Sequence, residues 1–221
     1  GFYYFIGTHY LPVQRTTVLF LTDPVEVASY EPSQQKWTRV QFPTSTHIAG
    51  IQGLGQYAVD SLWNFAATEG SPSAVVLGSL TDELGVPIEY YAGENGKMWT
   101  KLSDQENITS IYFSFSGAIQ RIFNKLHTNI PIPLYIALMR SFRSTPAHTI
   151  ATAFLEKGSG LSEKKLPDNS TILEFERDQF DSLTDNFFED KQIRDEHLRI
   201  IVLNTTGRPF LGSRAARIID R

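Results

Sequence analysis

The sequence predicts an α/β fold, in which a central mixed β-sheet is flanked by helices as a three-layer sandwich and is followed by a truncated second small α/β domain. The segment from Ser71 to Gly93 carries this prediction. Ser71 and Pro72 are typical of a helix start, and Gly85 is typical of a helix end. Apolar residues recur at helical spacing between them, and Val86–Ala92 follows as a strand with apolar or aromatic side chains on both faces. A helix that leads directly into a two-sided strand is typical of layered α/β proteins.

Length and composition describe a globular chain with room for one main domain and an appendage. The chain has 221 residues, of which 41% are hydrophobic and 12% aromatic, so it can bury a sizeable core. It carries 20 basic and 24 acidic residues, a formal net charge of −4, and this balance gives no reason to expect a nucleic-acid partner. The absence of cysteine excludes disulfides, thiolate zinc sites and cysteine nucleophiles.

The first part of the chain predicts strands followed by a helix. Thr16–Thr22 is β-branched and apolar, which is typical of a buried strand, and Asp23-Pro24 ends it. Two further strands are separated by a short turn and can form a hairpin. Pro43–Thr46 leaves the second of them, and α/β proteins often bind ligands in such loops. The predicted elements before Ser71 are strands at 16–22, 25–30 and 36–42 and a helix at 56–69.

After Gly93 the patterns predict strands, helices and one long loop. Ile108–Phe115 alternates apolar and polar residues, which indicates a strand. Glu156–Asn169 is the least apolar run of the chain and contains Gly158 and Gly160, which indicates a surface loop. The other predicted elements are strands at 172–176 and 198–203 and helices at 117–126, 134–142, 179–190 and from 209 onwards.

These patterns divide the chain into three parts, namely a leader at 1–15, an α/β domain at 16–192 and the start of a second domain at 198–221. The apolar Gly1–Ile6 is much shorter than the roughly 20 residues that span a bilayer. It is either a first strand or the outer end of a membrane anchor, where aromatic residues are common. Helical periodicity persists up to Arg221, so we expect the natural protein to continue.

Several catalytic motifs are absent from the sequence. The five histidines are not spaced as a helical metal site requires. No serine lies in a G-x-S-x-G motif, so nothing indicates a serine hydrolase. Gly50, Gly53 and Gly55 resemble a phosphate-binding loop in spacing, but no lysine and no preceding apolar strand frame them.

Three side chains are candidates for binding a diphosphate or a metal ion. Arg140 and Arg143 lie three residues apart in a predicted helix, and paired guanidinium groups on one face bind diphosphate oxygens well. The alternative is a solvated helix end whose cations favour the helix dipole. Asp23 ends a strand and precedes a proline, where it is either a magnesium ligand or the cap of a turn.

Two consecutive regions resemble the bacterial LytR–CpsA–Psr (LCP) family. Val25–Ile48 resembles the family's hairpin, in which two strands joined by a proline-containing turn lead into a Pro-Arg-Asp-Thr-like loop. Gly55–Ala92 resembles the two helices that follow and the family's "lgipidyyv" strand. The resemblance implies an LCP-like α/β domain over residues 16–192, although residues 93–171 match the family poorly.

The end of the chain resembles the start of the LytR C-terminal domain. That domain opens with a strand that ends Val-Leu-Asn-Gly-Thr-Gly and continues into a helix with an Ala-Ala pair. Here the matching segments are Val202–Gly207 and Ala215-Ala216. The family's Gly-Leu-Ala is replaced by Phe210-Leu211-Gly212. Both matches occur in the family's own order.

The resemblance implies a membrane-anchored protein on the extracytoplasmic face of the cell envelope. LCP proteins transfer glycopolymers from a polyprenyl-diphosphate carrier to peptidoglycan, usually with Mg²⁺; arginines bind the diphosphate and an aspartate binds the metal. Carried to this sequence, the loop arginine falls on Thr44, the loop aspartate on Ser45 and the first acidic position on Asp23. Arg140 and Arg143 are stand-ins for the family's helix arginines.

The loss of the loop arginine and aspartate predicts a degenerate family member with little or no catalysis, because a diphosphate leaving group needs fixed cations. It would bind a polyprenyl-phosphate lipid, a cell-wall glycan or an envelope partner through Thr44, Ser45, Arg140 and Arg143. One alternative is an active glycopolymer phosphotransferase with Mg²⁺ on Asp23. The other is an envelope scaffold or interaction protein. A single-pass anchor that precedes this sequence would attach it to the membrane.

Overall fold

The computed structural model describes residues 14–68, 70–94, 99–102, 108–122, 125–184, 187–188, 202, 204–205 and 211–219. The described strands are β1 (Thr16–Phe20), β2 (Thr22–Asp23), β3 (Val25–Glu31), β4 (Lys36–Phe42), β5 (Thr46–Ala49), β6 (Gln56–Ala58), β7 (Tyr90–Glu94), β8 (Thr100–Lys101), β9 (Leu126–Thr128), β10 (Ala151–Phe154), β11 (Glu156–Lys157), β12 (Gly160–Lys165) and β13 (Thr171–Phe175). The described α-helices are α1 (Val59–Thr68), α2 (Pro72–Leu84), α3 (Ile108–Tyr112), α4 (Phe115–Ile122), α5 (Ile132–Ser144), α6 (Arg177–Thr184) and α7 (Leu211–Ile219).

The central sheet is mixed and has the strand order β10-β4-β3-β1-β7-β9. Strand β3 runs antiparallel to both β1 and β4, whereas β1 and β7 are parallel, as are β4 and β10. A second sheet has the order β11-β12-β13-β5-β6, and β2 pairs with β8 in a short parallel ribbon. The loop between β4 and β5 therefore connects the two larger sheets.

Helices cover both faces of the central sheet. One core contains Leu19, Val27 and Val40 together with residues of α1 and α2 such as Leu62 and Leu80. The opposite core contains side chains from the other face of the same strands and from α3 and α5, namely Val18, Phe20, Ala28, Tyr30, Trp37, Ile108, Tyr112, Tyr135, Leu138 and Phe142. Because successive strand residues point to opposite faces, the sheet is buried on both sides. The predicted α/β fold with a helix-flanked mixed sheet is confirmed.

Helix α2 begins and ends close to the predicted residues. Gly85 has a φ of 69°, the left-handed conformation that ends many helices, whereas the Ser71 side chain makes no capping hydrogen bond. The predicted strand at 86–92 was too early, because β7 begins only at Tyr90. Pro87 has no N–H to donate to a sheet, and the Ile88 N–H donates to Thr81 Oγ1 at 3.1 Å instead.

The predicted strand at Ile108–Phe115 was wrong. This segment forms the short helix α3, and α4 begins at Phe115. A short segment with alternating polarity fits one turn of a helix as well as a strand, so periodicity alone could not decide. Gly117 permits the tight connection, because a Cβ at this position would lie 1.9 Å from the carbonyl oxygen of Tyr112.

The predicted surface loop at Glu156–Asn169 was also wrong for most of its length. It contains β11 and β12, and β12 pairs antiparallel with β13. Leu161 is buried in the core, whereas Glu163, Lys164 and Lys165 are exposed. A strand near a sheet edge can be largely charged if a few residues reach the core, and this composition hid the strand.

Other predicted boundaries shift by a few residues. Gln56–Ala58 is the strand β6 and precedes helix α1, and α5 is longer than predicted. Most of the predicted leader at 1–15 and of the predicted strand at 198–203 lies outside the described residues. Within the predicted second domain at 198–221, the structure describes helix α7. The assignment of a second domain stays a prediction. Among the described helices, none combines the length and hydrophobicity required to cross a bilayer.

Candidate functional site

The loop after β4 meets the end of β2 at one end of the central sheet. Here the backbone N–H of Thr44 donates to Oδ1 of Asp23 at an N···O distance of 3.4 Å. Thr44 is buried, Asp23 is half-buried and Ser45 is exposed. The turn is held by the Thr46 N–H, which donates to the Pro43 carbonyl at 3.0 Å. The structure therefore brings Asp23, Thr44 and Ser45 together as one cluster, which we call the Asp23 loop cluster.

The cation nearest to Asp23 in the strand register comes from β8, where Lys101 lies opposite Asp23 and is exposed. The described residues include no group of three or more histidine, aspartate or glutamate side chains arranged to hold a metal ion. Proteins usually hold Mg²⁺ through one or two carboxylates together with waters and substrate phosphates, so the assignment of Asp23 as a Mg²⁺ ligand stays a prediction.

Arg140 and Arg143 lie at the other end of the sheet, in the last turns of α5. Arg140 lines a cavity of about 610 Å³ together with Tyr30 of β3. Asp23 precedes the start of β3 and Tyr30 lies near its other end, and Val25 and Tyr30 alone are about 17 Å apart at a rise of about 3.3 Å per residue. Arg143 is exposed and is not among the described residues that line this cavity. The structure does not bring either arginine to the Asp23 loop cluster.

A buried polar cluster was not predicted from the sequence. Glu26 of β3 is fully buried, and its carboxylate accepts hydrogen bonds from Gln41 Nε2 at 2.5 Å, from the Thr109 N–H at 2.8 Å and from the Thr109 hydroxyl. Arg39 Nη1 lies 3.4 Å from the same carboxylate and Arg39 Nη2 donates to Thr152 Oγ1 at 2.9 Å. The available signal was a glutamate inside the apolar strand Val25–Glu31, since such a residue is buried only with partners.

Burial raises the pKa of the Glu26 carboxyl above its ordinary value of 4.5, and the opposing effects of Arg39, Thr109 and Gln41 do not cancel the burial. Glu26 holds α3 on the sheet through Thr109, the second residue of that helix. We assign Glu26 a role in positioning α3, because its carboxylate links β3 to the backbone at the start of that helix.

No protein-family model and no curated protein sequence matches this chain. Solved structures do match. TagV of Bacillus subtilis superimposes with a TM-score of 0.56 and 12% sequence identity, covering 79% of this chain and 96% of TagV. A TagT structure bound to LIIa-WTA superimposes with a TM-score of 0.55 and 11% identity, covering 78% and 91%.

A third solved structure is the LytR-CPS2A-psr family protein YwtF (TagT) with bound octaprenyl pyrophosphate lipid. It superimposes with a TM-score of 0.52 and 9% identity, covering 78% of this chain and 88% of that chain. This chain has the LCP fold. At identities of 9–12% the similarity establishes the fold, and an activity has to be argued from the site itself.

The LCP fold of this chain is tightly filled on the α5 side of its central sheet. The ring of Phe113 lies between Phe20, Trp37, Tyr135 and Phe142, with centroid distances of 5.7, 5.7, 5.4 and 6.3 Å. The Tyr135 hydroxyl donates to the Tyr112 carbonyl, and Trp37 Nε1 donates to Ser141 Oγ at 3.2 Å. The space between this LCP sheet and α5 is thus occupied by side chains at Trp37 and Phe113.

Proposed function

We propose that this LCP-fold chain is a cell-envelope protein that binds a polyprenyl-phosphate lipid, a cell-wall glycan or an envelope partner without efficient catalysis. The proposal places it on the extracytoplasmic face of the membrane, behind a single-pass anchor that precedes this sequence. Support comes from the similarity to LCP proteins, of which one structure holds octaprenyl pyrophosphate and another LIIa-WTA.

The composition of the Asp23 loop cluster carries the proposal. Where the family resemblance expects an arginine and an aspartate, this cluster has Thr44 and Ser45. Transfer from a lipid diphosphate leaves negative charge on the departing phosphate, and fixed cations must stabilise that charge. Two neutral hydroxyl residues cannot supply it. The loss of one such donor typically costs about 100- to 1,000-fold in rate.

The position of Arg140 supports the same conclusion. A relocated arginine could in principle replace the lost loop arginine. Arg140, however, lines the cavity near Tyr30, at the opposite end of β3 from Asp23. A charge at the far end of a strand about 17 Å long is largely screened by salt, since the Debye length is about 8 Å at physiological ionic strength. It would contribute little to stabilising a leaving group at Asp23.

We expect the purified chain to show little or no glycopolymer transfer with a lipid-diphosphate donor, a peptidoglycan acceptor and Mg²⁺. The expected rate lies at least about 100-fold below that of an active LCP protein assayed in parallel, because Thr44 stands where the family resemblance expects the loop arginine. The measurement is radiolabelled polymer recovered on the acceptor over time. Turnover that is abolished by Asp23→Asn or Arg140→Gln would contradict the proposal and favour an active phosphotransferase.

A second candidate is an envelope scaffold or interaction protein. The observation that favours it is the packed core between the sheet and α5, where the described side chains of Trp37 and Phe113 are fully buried and contact each other. Lipid extraction from the purified protein, followed by mass spectrometry, separates the two candidates. A co-purifying polyprenyl phosphate supports the binding protein, whereas lipid-free protein favours the scaffold.

A further inference from the structure

A cavity of about 610 Å³ lies between the β3–β4 hairpin and the end of α5, far from the Asp23 loop cluster. Pockets of about 300–1,000 Å³ are of the size that proteins use for small ligands. The described lining consists of one aromatic residue, two cations, two amides, four hydroxyl residues and one proline, namely Tyr30, Gln34, Gln35, Lys36, Arg140, Ser141, Ser144, Thr145, Pro146 and Thr149.

The charged side chains described in the lining of this cavity are all positive. Lys36 and Arg140 both line it, and no described lining residue is acidic. The cavity therefore suits an anionic group, because two of its described lining residues are cations and none of them is acidic.

Three hydroxyl groups that line the cavity donate their hydrogen bonds to backbone carbonyls. The hydroxyls of Ser144 and Thr145 both donate to the Ser141 carbonyl at 2.9 Å, and the Thr149 hydroxyl donates to the Pro146 carbonyl at 2.7 Å. A hydroxyl has one proton and two acceptor lone pairs. With their protons directed at the backbone, these three oxygens present acceptors to a ligand that carries several hydroxyl groups, as a sugar or polyol does.

We propose that this cavity binds a sugar phosphate or polyol phosphate. Its phosphate oxygens accept hydrogen bonds from Lys36 and Arg140, and its hydroxyl groups donate to the oxygens of Ser144, Thr145 and Thr149. The amides of Gln34 and Gln35 can both donate and accept and complete the polar lining. This site is separate from the Asp23 loop cluster, so the proposal of a phosphate ligand here does not depend on the function proposed above.

Arg140 lies near a different cation from the one that sequence spacing predicts. Sequence spacing places Arg140 beside Arg143, on one face of a helix. The fold instead places Arg140 at a cavity with Lys36, which is distant in sequence, and leaves Arg143 outside the described lining. The hairpin between β3 and β4 creates this pairing, because it carries Lys36 to the end of α5.

The test is isothermal titration of the 221-residue chain with glucose 6-phosphate and glycerol 3-phosphate, with inorganic phosphate and glucose as comparison ligands. We expect both phosphate monoesters to bind more tightly than inorganic phosphate or glucose. Lys36→Gln and Arg140→Gln should each weaken their binding by roughly tenfold, the size expected for one charge-assisted hydrogen bond. Thr149→Val, at an exposed position, should weaken the sugar phosphate but leave inorganic phosphate unchanged.

Lys125→Gln is the matched control, because it removes the same charge from an exposed lysine that is not among the described lining residues. It should leave the affinity unchanged. Three results would overturn the proposal: no measurable binding of either monoester, equal affinity for inorganic phosphate, or an equal loss in Lys125→Gln, which indicates diffuse attraction. Because none of these measurements involves the Asp23 loop cluster, they are distinguishable from a failure in the transfer assay.

Discussion

Replacing Phe113 with alanine should lower the free energy of unfolding by about 3–5 kcal/mol, the usual cost of truncating a buried aromatic residue. Phe113 is fully buried, and four aromatic rings surround it. The loss includes the transfer free energy of the ring, the cavity that remains and the edge-to-face contacts with Phe20 and Tyr135. Urea denaturation followed by tryptophan fluorescence and circular dichroism measures it.

Phe115→Ala is the matched control, since it makes the same chemical change two residues further on. Phe115 is 69% exposed, so the expected change is within about 0.5 kcal/mol. In the strand that the sequence predicts, Phe113 and Phe115 would lie on the same face. Similar losses in the two variants would contradict the helical turn at Ile108–Tyr112 and support the strand.

Replacing Glu26 with alanine should also be strongly destabilising, by about 3–5 kcal/mol, because it leaves Arg39 without its carboxylate in a largely buried position. It also removes the acceptor of the Thr109 N–H at the start of α3, and an unsatisfied buried donor adds its own penalty. Urea denaturation at pH 7 measures the change. Hydrogen exchange should show α3 losing protection first, since Glu26 links it to β3.

Glu163→Ala serves as the control for Glu26. The ion pair between Lys157 and Glu163 is shorter, at 2.7 Å against 3.4 Å for Arg39 and Glu26. Its side chains are 67% and 42% exposed, however, and exposed pairs contribute only about 0–1 kcal/mol. If Glu26→Ala is no more destabilising than Glu163→Ala, the buried cluster does not hold α3 on the sheet.

The raised pKa of Glu26 predicts how stability depends on pH. Burial raises its pKa in the folded state above the ordinary 4.5, so the folded protein binds this proton more tightly than the unfolded chain. The contribution is complete below pH 4.5 and is lost as the pH rises through the folded-state pKa. Burial also raises the pKa of Glu89, so Glu26→Gln is compared with the unmodified chain from pH 4 to 8. The variant should show the smaller decrease; equal slopes would contradict the assignment.

Sequence patterns predicted much of the fold because its longest elements are strongly patterned. The strand at Lys36–Phe42 has the predicted boundaries, and α2 ends at Gly85 as its composition indicates. The secondary-structure predictions for residues 108–115 and 156–169 were wrong for opposite reasons. The first is apolar enough to be buried in either conformation, and the second is charged on the face that its neighbours leave exposed. In both, tertiary contacts decided between local alternatives.

The candidate sites show the same limit. Asp23, Thr44 and Ser45 lie together because the chain returns to the same end of the sheet within one hairpin. Nothing local could indicate that Arg140 shares a cavity with Lys36, or that Glu26 accepts hydrogen bonds from Thr109 of α3. The residues of each pair are about 80 to 100 positions apart in sequence, and propensity carries no information at that range.

The sequence by itself determined the layered α/β class, the course of the β3–β4 hairpin, helix α2 and its glycine end, and the neutral residues at Thr44 and Ser45. These features follow from periodicity, backbone preference and side-chain identity, which act over a few residues. The tertiary structure alone decided that Arg140 lies at the far end of the sheet from Asp23 and that Glu26 is buried. Burial and charge pairing depend on which distant segments pack together, and the packed sheet and helices fix that choice.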